Sequence, residues 1–264
     1  MNPIKKTKSQ IYNISSKVSE NGSFKSSIRV SLPNLNFTNS SIQNVYLSVL
    51  HCEVPNSFYI VNYTNNSIVV NSITYTIPVG NYNANTLITA LLTLLPVGFA
   101  ISYSTVTNKY TWTNSTNFTI NASNANCKIN TVIGLGTTDV SSVSLSLVLP
   151  FNVNFLPLPR LNFRSNVFNF GNYNQNDNSS NVFLSLQNNA PQQGMINYIN
   201  QTQIKFLIED RSVTSFLVTV TDDVGNLINF NNIDWFLTFQ IDIDFLEMPK
   251  NNNFSQLVNT SLPY

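Results

Sequence analysis

Only one stretch of this chain carries the periodicity of a helix. Leu87, Ile88, Leu91, Leu92 and Leu95 recur at helical spacing, Asn83 or Asn85 can cap the first turn, and Pro96 with Gly98 stops the last. Elsewhere apolar residues alternate with polar ones, or gather in short β-branched and aromatic runs between Pro, Gly and Asn. Residues 42–63, with Val45-Tyr46-Leu47-Ser48-Val49-Leu50 inside them, predict one long strand bent at Pro55-Asn56-Ser57. Residues 67–77 predict a hairpin turning at Asn71-Ser72 and ended by Pro78 and Gly80. A second hairpin is expected from 98–103 and 109–113 around Thr107-Asn108, with a short third strand at 117–121. Residues 127–136 read as one helical turn closed by Gly134-Leu135-Gly136.

From residue 142 onward the pattern is strand again, at 143–155, 160–170, 182–187, 203–208, 213–221 and 233–245. Asp222-Asp223-Val224-Gly225-Asn226 is a turn with Gly225 where φ must be positive. Residues 171–180, almost wholly Asn, Gln, Asp and Ser, predict an exposed loop. The fold class that follows is all-β: a single jelly-roll β-sandwich with one short inserted helix and an extended N-terminal arm. No repeat and no linker composition divides the chain. The domain reading is therefore a basic arm at 1–27, one jelly roll at 28–250 and a C-terminal tail at 251–264.

Composition narrows what such a sandwich does. Apolar residues make up 42%, which excludes a disordered chain. Charged residues make up only 9%, where about 25% is usual, and Asn is the most abundant residue. With 13 basic and 12 acidic side chains, the net charge of +1 excludes wholesale electrostatic binding of nucleic acid. A weakly charged surface also resists association poorly, which points to a subunit of an assembly.

The few charges are unevenly placed. Lys5, Lys6, Lys8, Lys17, Lys25 and Arg29 open the chain, whereas Glu209, Asp210, Asp222, Asp223, Asp234, Asp242, Asp244 and Glu247 crowd its last third. The five lysines mark an arm for an acidic partner surface or for phosphate. With little apolar sequence to fold on, the arm is expected to be disordered in an isolated subunit and ordered by a neighbour.

Candidates for chemistry are few. The single histidine, His51, adjoins Cys52 on a strand, so the two point to opposite faces and do not form a nucleophile-base pair. Cys52 and Cys127 read as reduced, buried thiols, which suits an intracellular site of folding. Zinc needs more His or Cys than the chain has, and no serine elbow or phosphate loop is present. Asp242 and Asp244 share a strand face with Glu247 near, a set that suits calcium or a carboxylate pair for glycoside hydrolysis, but equally an exposed face or a landing site for a neighbour's basic arm. Arg160 and Arg164 face one way and suit an ion pair with the acidic third. The reading is a non-enzyme with no catalytic residue, metal or cofactor. The amino end, whose lysines have no apolar run behind them, does not read as a secretory signal. The longest apolar stretch, 87–101, is too short to span a bilayer.

Four motifs in order carry a resemblance: Val54-Pro55-Asn56-Ser57-Phe58-Tyr59-Ile60, Tyr75-Thr76-Ile77-Pro78-Val79-Gly80-Asn81-Tyr82, Leu135-Gly136, and the run from Asp223 through Gly225 to Asp234-Trp235. Over roughly residues 42–245 the chain resembles the small jelly-roll capsid proteins of virophages, polinton-like viruses and some large DNA viruses of protists, and among these the penton. That resemblance implies a structural protein of the virion, made and assembled inside the host cell, forming homopentamers at fivefold vertices. Its implied partners are copies of itself, neighbouring major capsid (hexon) proteins and minor capsid proteins, with weak or no nucleic-acid contact and no membrane span. Pro55, Asn56, Phe58, Tyr59, Pro78, Gly80, Tyr82, Gly136, Gly225, Asp234 and Trp235 are the residues that carry it. The alternatives are a minor capsid or cement protein between capsomers, or a carbohydrate-binding virion jelly roll.

Overall fold

The computed structural model describes residues 4–19, 24–32, 39–156, 158–166, 181–202, 204–210 and 212–247. The chain opens with β1 (Ile4–Ser15), a 3-10 turn at Ser16–Val18, β2 (Ser27–Ser31) and β3 (Ile42–Pro55). Next come β4 (Ser67–Val70), β5 (Ile73–Thr76), α1 (Ala84–Leu94), β6 (Ala100–Ser104), β7 (Lys109–Thr113) and β8 (Thr119–Ile120). They are followed by α2 (Asn130–Ile133), β9 (Val140–Ser141) and β10 (Ser146–Val148). Six strands close the chain: β11 (Arg160–Ser165), β12 (Val182–Gln187), β13 (Met195–Ile199), β14 (Phe206–Leu207), β15 (Ser215–Thr221) and β16 (Phe236–Glu247). These elements divide into two compact units, residues 57–159 and the remainder.

The outer unit of the sequence is a jelly roll by its wiring. One sheet runs β1-β16-β3-β13, with β14 also on β3, and the other runs β12-β11-β15-β2, all antiparallel. Setting β14 aside, the first strand pairs with the last, the second with the next to last, the third with β13, and β11 with β12. That nesting is a folded ribbon rolled once on itself. Alternation drives it: Val45, Leu47 and Val49 of β3, Phe163 of β11, Phe216, Val218 and Val220 of β15, and Phe239 and Ile241 of β16 all point inward and are at most 2% exposed. Each such side chain contributes about 1.5–3 kcal/mol on burial. Phe216 packs edge-on to Phe239 at 5.8 Å, joining one sheet to the other.

Register places the joints. Met195 lies opposite Pro55 and Arg160 opposite Gln187, and only a short connection separates Gln187 from Met195. The chain therefore leaves the sandwich after Asn56 and re-enters it at Arg160 at one end. Ile4 and Glu247, which pair with each other, lie at the opposite end.

Residues 57–159 fold around their own core in two small sheets, β5-β4-β8-β9 and β10-β7-β6. The β4–β5 turn is Asn71-Ser72, with φ of 49° and 65°, the primed turn that a tight hairpin needs. Helix α1 is capped reciprocally by Asn83 and Thr86 and buries Leu87 and Leu91. The Tyr110 hydroxyl donates to the Ala84 carbonyl at 2.8 Å, tying α1 to β7. Gly134 ends α2 at φ 76°, and a Cβ there would sit 2.2 Å from the Phe151 carbonyl oxygen, so only glycine fits.

Several expectations are corrected. Where one domain is expected over 28–250, the chain divides into two compact units, with 57–159 lying between the two segments of the other; among the described residues α1 and α2 both fall inside 57–159, α2 at the helical turn expected over 127–136. Its borders were hard to read because Pro55 and Pro159, not a Gly/Ser linker, flank it. The strand predicted over 42–63 ends at Pro55, where the chain leaves the sheet. Strand 117–121 shortens to β8 and pairs with β4 and β9 rather than with the 98–113 hairpin. Of 143–155 only β10 is a strand beyond the Val143↔Ser146 bridge. The arm at 1–27 is not a free tail, since residues 4–15 are β1. The loop at 171–180 and the tail at 251–264 lie outside the described residues.

Candidate interaction surface

The outward face of the β1-β16-β3-β13 sheet gathers the charges that the sequence keeps at opposite ends. Directly opposed residues are Thr7 and Asp244, Ser9 and Asp242, Ile11 and Gln240, Asn13 and Thr238. The Thr7 hydroxyl donates to Asp244 and the Ser9 hydroxyl to Asp242, both at 2.6 Å. Lys5 approaches Asp244 at 2.9 Å, Lys205 approaches Asp242 at 2.6 Å, and Lys6 pairs with Glu247. Gln240 adds a third donor to Asp242 at 2.6 Å, and Thr238 donates to Asn13 at 2.8 Å.

These carboxylates are buried beneath their partners, Asp242 at 2% and Asp244 at 6% exposure. Hydrogen bonds from Thr7 and then Lys5 hold Asp244 below the usual carboxylate range. Burial alone would raise Asp242, but donors from Lys205, Ser9 and Gln240 outweigh it and the group lies low as well. Lys5 is correspondingly raised, first by its hydrogen bond to Asp244. The trio singled out for calcium or acid catalysis is therefore engaged by lysines and hydroxyls of its own chain. Where a landing site for a neighbour's basic arm is one expectation, the chain's own β1 lies on these carboxylates. Lys8 and Lys17 are exposed.

Lys25 belongs to a second constellation. Its ammonium meets Asp234 at 2.6 Å, and Asp234 also accepts from the Ser16 hydroxyl at 3.0 Å, which keeps its carboxyl low, chiefly through Lys25. The Trp235 indole donates to the Lys25 carbonyl at 2.7 Å and its backbone N–H to the Ser16 hydroxyl at 3.0 Å. Fully buried, Trp235 packs edge-on to Phe163 at 5.3 Å. Asp234-Trp235 thus clamps both ends of the β1–β2 connection. Upstream, Gly225 takes φ 90° in a turn whose N–H groups at Val224 and Asn226 are held by the Asp222 carboxylate.

The remaining motif residues sit at joints. Asn56 donates to the Ala190 carbonyl at 2.8 Å, fixing the exit of buried Pro55 to the β12–β13 connection. Within 57–159, Gly80 and Val61 exchange two backbone bonds and the Tyr82 hydroxyl donates to the Pro78 carbonyl at 2.7 Å. Gly136 faces the Phe151 ring, 3.1 Å from where a Cβ would be. Phe58 is buried and Tyr59 is 37% exposed, because alternation turns Tyr59 away between Phe58 and Ile60. Arg164 is buried and donates to the Thr221 hydroxyl at 2.7 Å, whereas Arg160, the first residue of β11, is exposed. Asp223 accepts from Asn162 at 3.0 Å. His51 and Glu53 share the outer face at 3.6 Å, with Cys52 buried behind them.

Two features escape the sequence reading, the part played by Lys205 and the pairing of residues 4–15 as a strand. Lys205 gave no local signal. The strand character of the arm was visible in the alternation Lys5-x-Thr7-x-Ser9-x-Ile11-x-Asn13, a period of two.

No family model matches the chain, and no curated protein matches it. Solved structures do. One is a crystal structure of mavirus penton protein, 11% identical, with a TM-score of 0.46, covering 90% of this chain and 99% of that chain.

Among the described residues no helix is long and apolar enough to cross a membrane. The exterior of 57–159 is nearly uncharged: Lys109, Lys128 and Asp139 are its only ionisable acids and bases apart from tyrosine and cysteine. Asp139 is bonded by Ser123, and Lys109 donates to the Pro150 carbonyl.

Proposed function

We propose that this chain is a structural capsid protein, a penton that forms homopentamers at the fivefold vertices of an icosahedral virion. The observation that carries the reading is the jelly-roll wiring with a second folded unit spliced between β3 and β11, the resembling sequence motifs falling at its joints: Pro55-Asn56 at the exit, Gly80-Tyr82 inside the insertion, Asp234-Trp235 at the last crossing. In this reading subunits pack side by side through the sandwich. The end of the sandwich that holds Ile4 and Glu247 meets the hexons and minor capsid proteins. Three of the five arm lysines are neutralised by carboxylates of the chain, which favours protein contact over nucleic acid. The buried carboxylates are engaged by lysines and hydroxyls, which favours a structural role over catalysis. The protein acts in the virion, after folding inside the host cell with its thiols reduced.

Light scattering on the purified protein tests the assembly: the expected mass is five subunits, and a stable monomer at all concentrations contradicts the penton reading. Density for the jelly roll at the fivefold positions of an icosahedral reconstruction tests the place.

A further inference from the structure

We infer that β1 is an exchangeable strand, and that in the assembly it lies on β16 of a second copy of this chain; the inference rests on the assembly reading above. β1 is the edge of its sheet and pairs with β16 alone, over all 12 residues. Its inward face contributes little to the sandwich. Tyr12 stacks on Phe239 at 5.0 Å and Ile14 is half-buried, but residues 4–9 are exposed. What binds it is largely polar: on the outer face Thr7 and Lys5 on Asp244, Ser9 on Asp242 and Thr238 on Asn13, and on the other face Lys6 on Glu247.

The pivot is built in. Lys25 is held by Asp234 and Trp235, so the start of β2 stays in place wherever residues 4–16 point. The nine residues from Ser16 to Lys25 span up to about 30 Å at about 3.3 Å per residue, which carries β1 and Ser16 across to β16 and Asp234 of an adjoining subunit.

The occupant follows from complementarity. A strand seated on β16 must offer a lysine and a hydroxyl to Asp244, a hydroxyl to Asp242 and an amide to Thr238, at alternate positions. β1 of another copy offers that set in register. Every bond broken within one chain is remade between two, so exchange costs little and links the subunits.

Two variants with one added cysteine each test this, Asn13→Cys and Thr238→Cys, whose positions lie directly opposite each other across β1 and β16, while the native Cys52 and Cys127 are buried. They are mixed, allowed to assemble and oxidised. Exchange predicts a disulfide-linked heterodimer on a non-reducing gel that neither variant forms alone. The double variant in one chain reports that the site closes: its monomer gives an intrachain disulfide, and its assembled form gives covalent multimers. An assembled pentamer with only intrachain disulfides overturns exchange and leaves the penton reading standing. A chain that never assembles and closes only within itself overturns both.

Discussion

The jelly roll and the insertion solve the same problem, burying β-rich sequence, with opposite use of charge. The jelly roll carries all but three of the charged side chains and sinks carboxylates into one sheet face, where each meets a lysine and a hydroxyl. The insertion has three charged residues and relies on apolar packing around Trp112, Tyr110, Leu87 and Leu91, all 0% exposed. Two stable units in one chain thus respond to different variables: one to pH and salt, the other almost only to packing.

The largest test of this contrast is in the cores. Trp235→Ala removes the clamp and a fully buried indole and should cost about 3–5 kcal/mol, melting the jelly roll. Trp112→Ala should cost as much within 57–159 alone. Thermal unfolding followed by fluorescence of the remaining tryptophan separates the two, and a shared loss of both units in each variant breaks the division.

Next in size, Gly134→Ala forces a Cβ onto the Phe151 carbonyl at positive φ, a strain of about 1–3 kcal/mol. It should lower the insertion's unfolding midpoint and leave the jelly roll unchanged in urea denaturation.

Acid should discriminate the other way. Asp234, Asp242 and Asp244 lie below their ordinary values when folded, so the unfolded chain takes up protons first as pH falls. Their stabilisation is complete above the unfolded value of about 3.9 and is lost as pH drops through the folded values. Jelly-roll stability should be flat from neutrality to about pH 5 and fall below about pH 4, while the insertion, whose one acid is the exposed Asp139, changes less. Asp244→Asn should cost about 1–2 kcal/mol at neutral pH and flatten the acid limb; an unchanged limb in pH-dependent melts counts against the latch.

Smallest is salt. Lys5 is 62% exposed against Asp244, so Lys5→Ala and moderate salt should each shift the jelly-roll midpoint only slightly. A steep salt dependence of the insertion, by the same melts, would contradict its neutrality.

Local sequence carried a good deal of this. Alternation in Val45-Tyr46-Leu47-Ser48-Val49 and in Phe216-Leu217-Val218-Thr219-Val220 specified strands and their inward faces. Asn71-Ser72, Gly134 and Gly225 specified their turns, and Asn83 with Pro96 bounded α1, because each depends on residues within one turn or one pleat. What only the tertiary structure decided is pairing at long range. That Lys5 meets Asp244 and Lys25 meets Asp234, more than two hundred positions away, follows from the ribbon rolling its first strand onto its last. That 57–159 is a unit of its own follows from β3 and β11 closing one sandwich without it. A period of two states which face is apolar; it does not state which strand lies beside it, because every buried strand offers the same backbone ladder to any other.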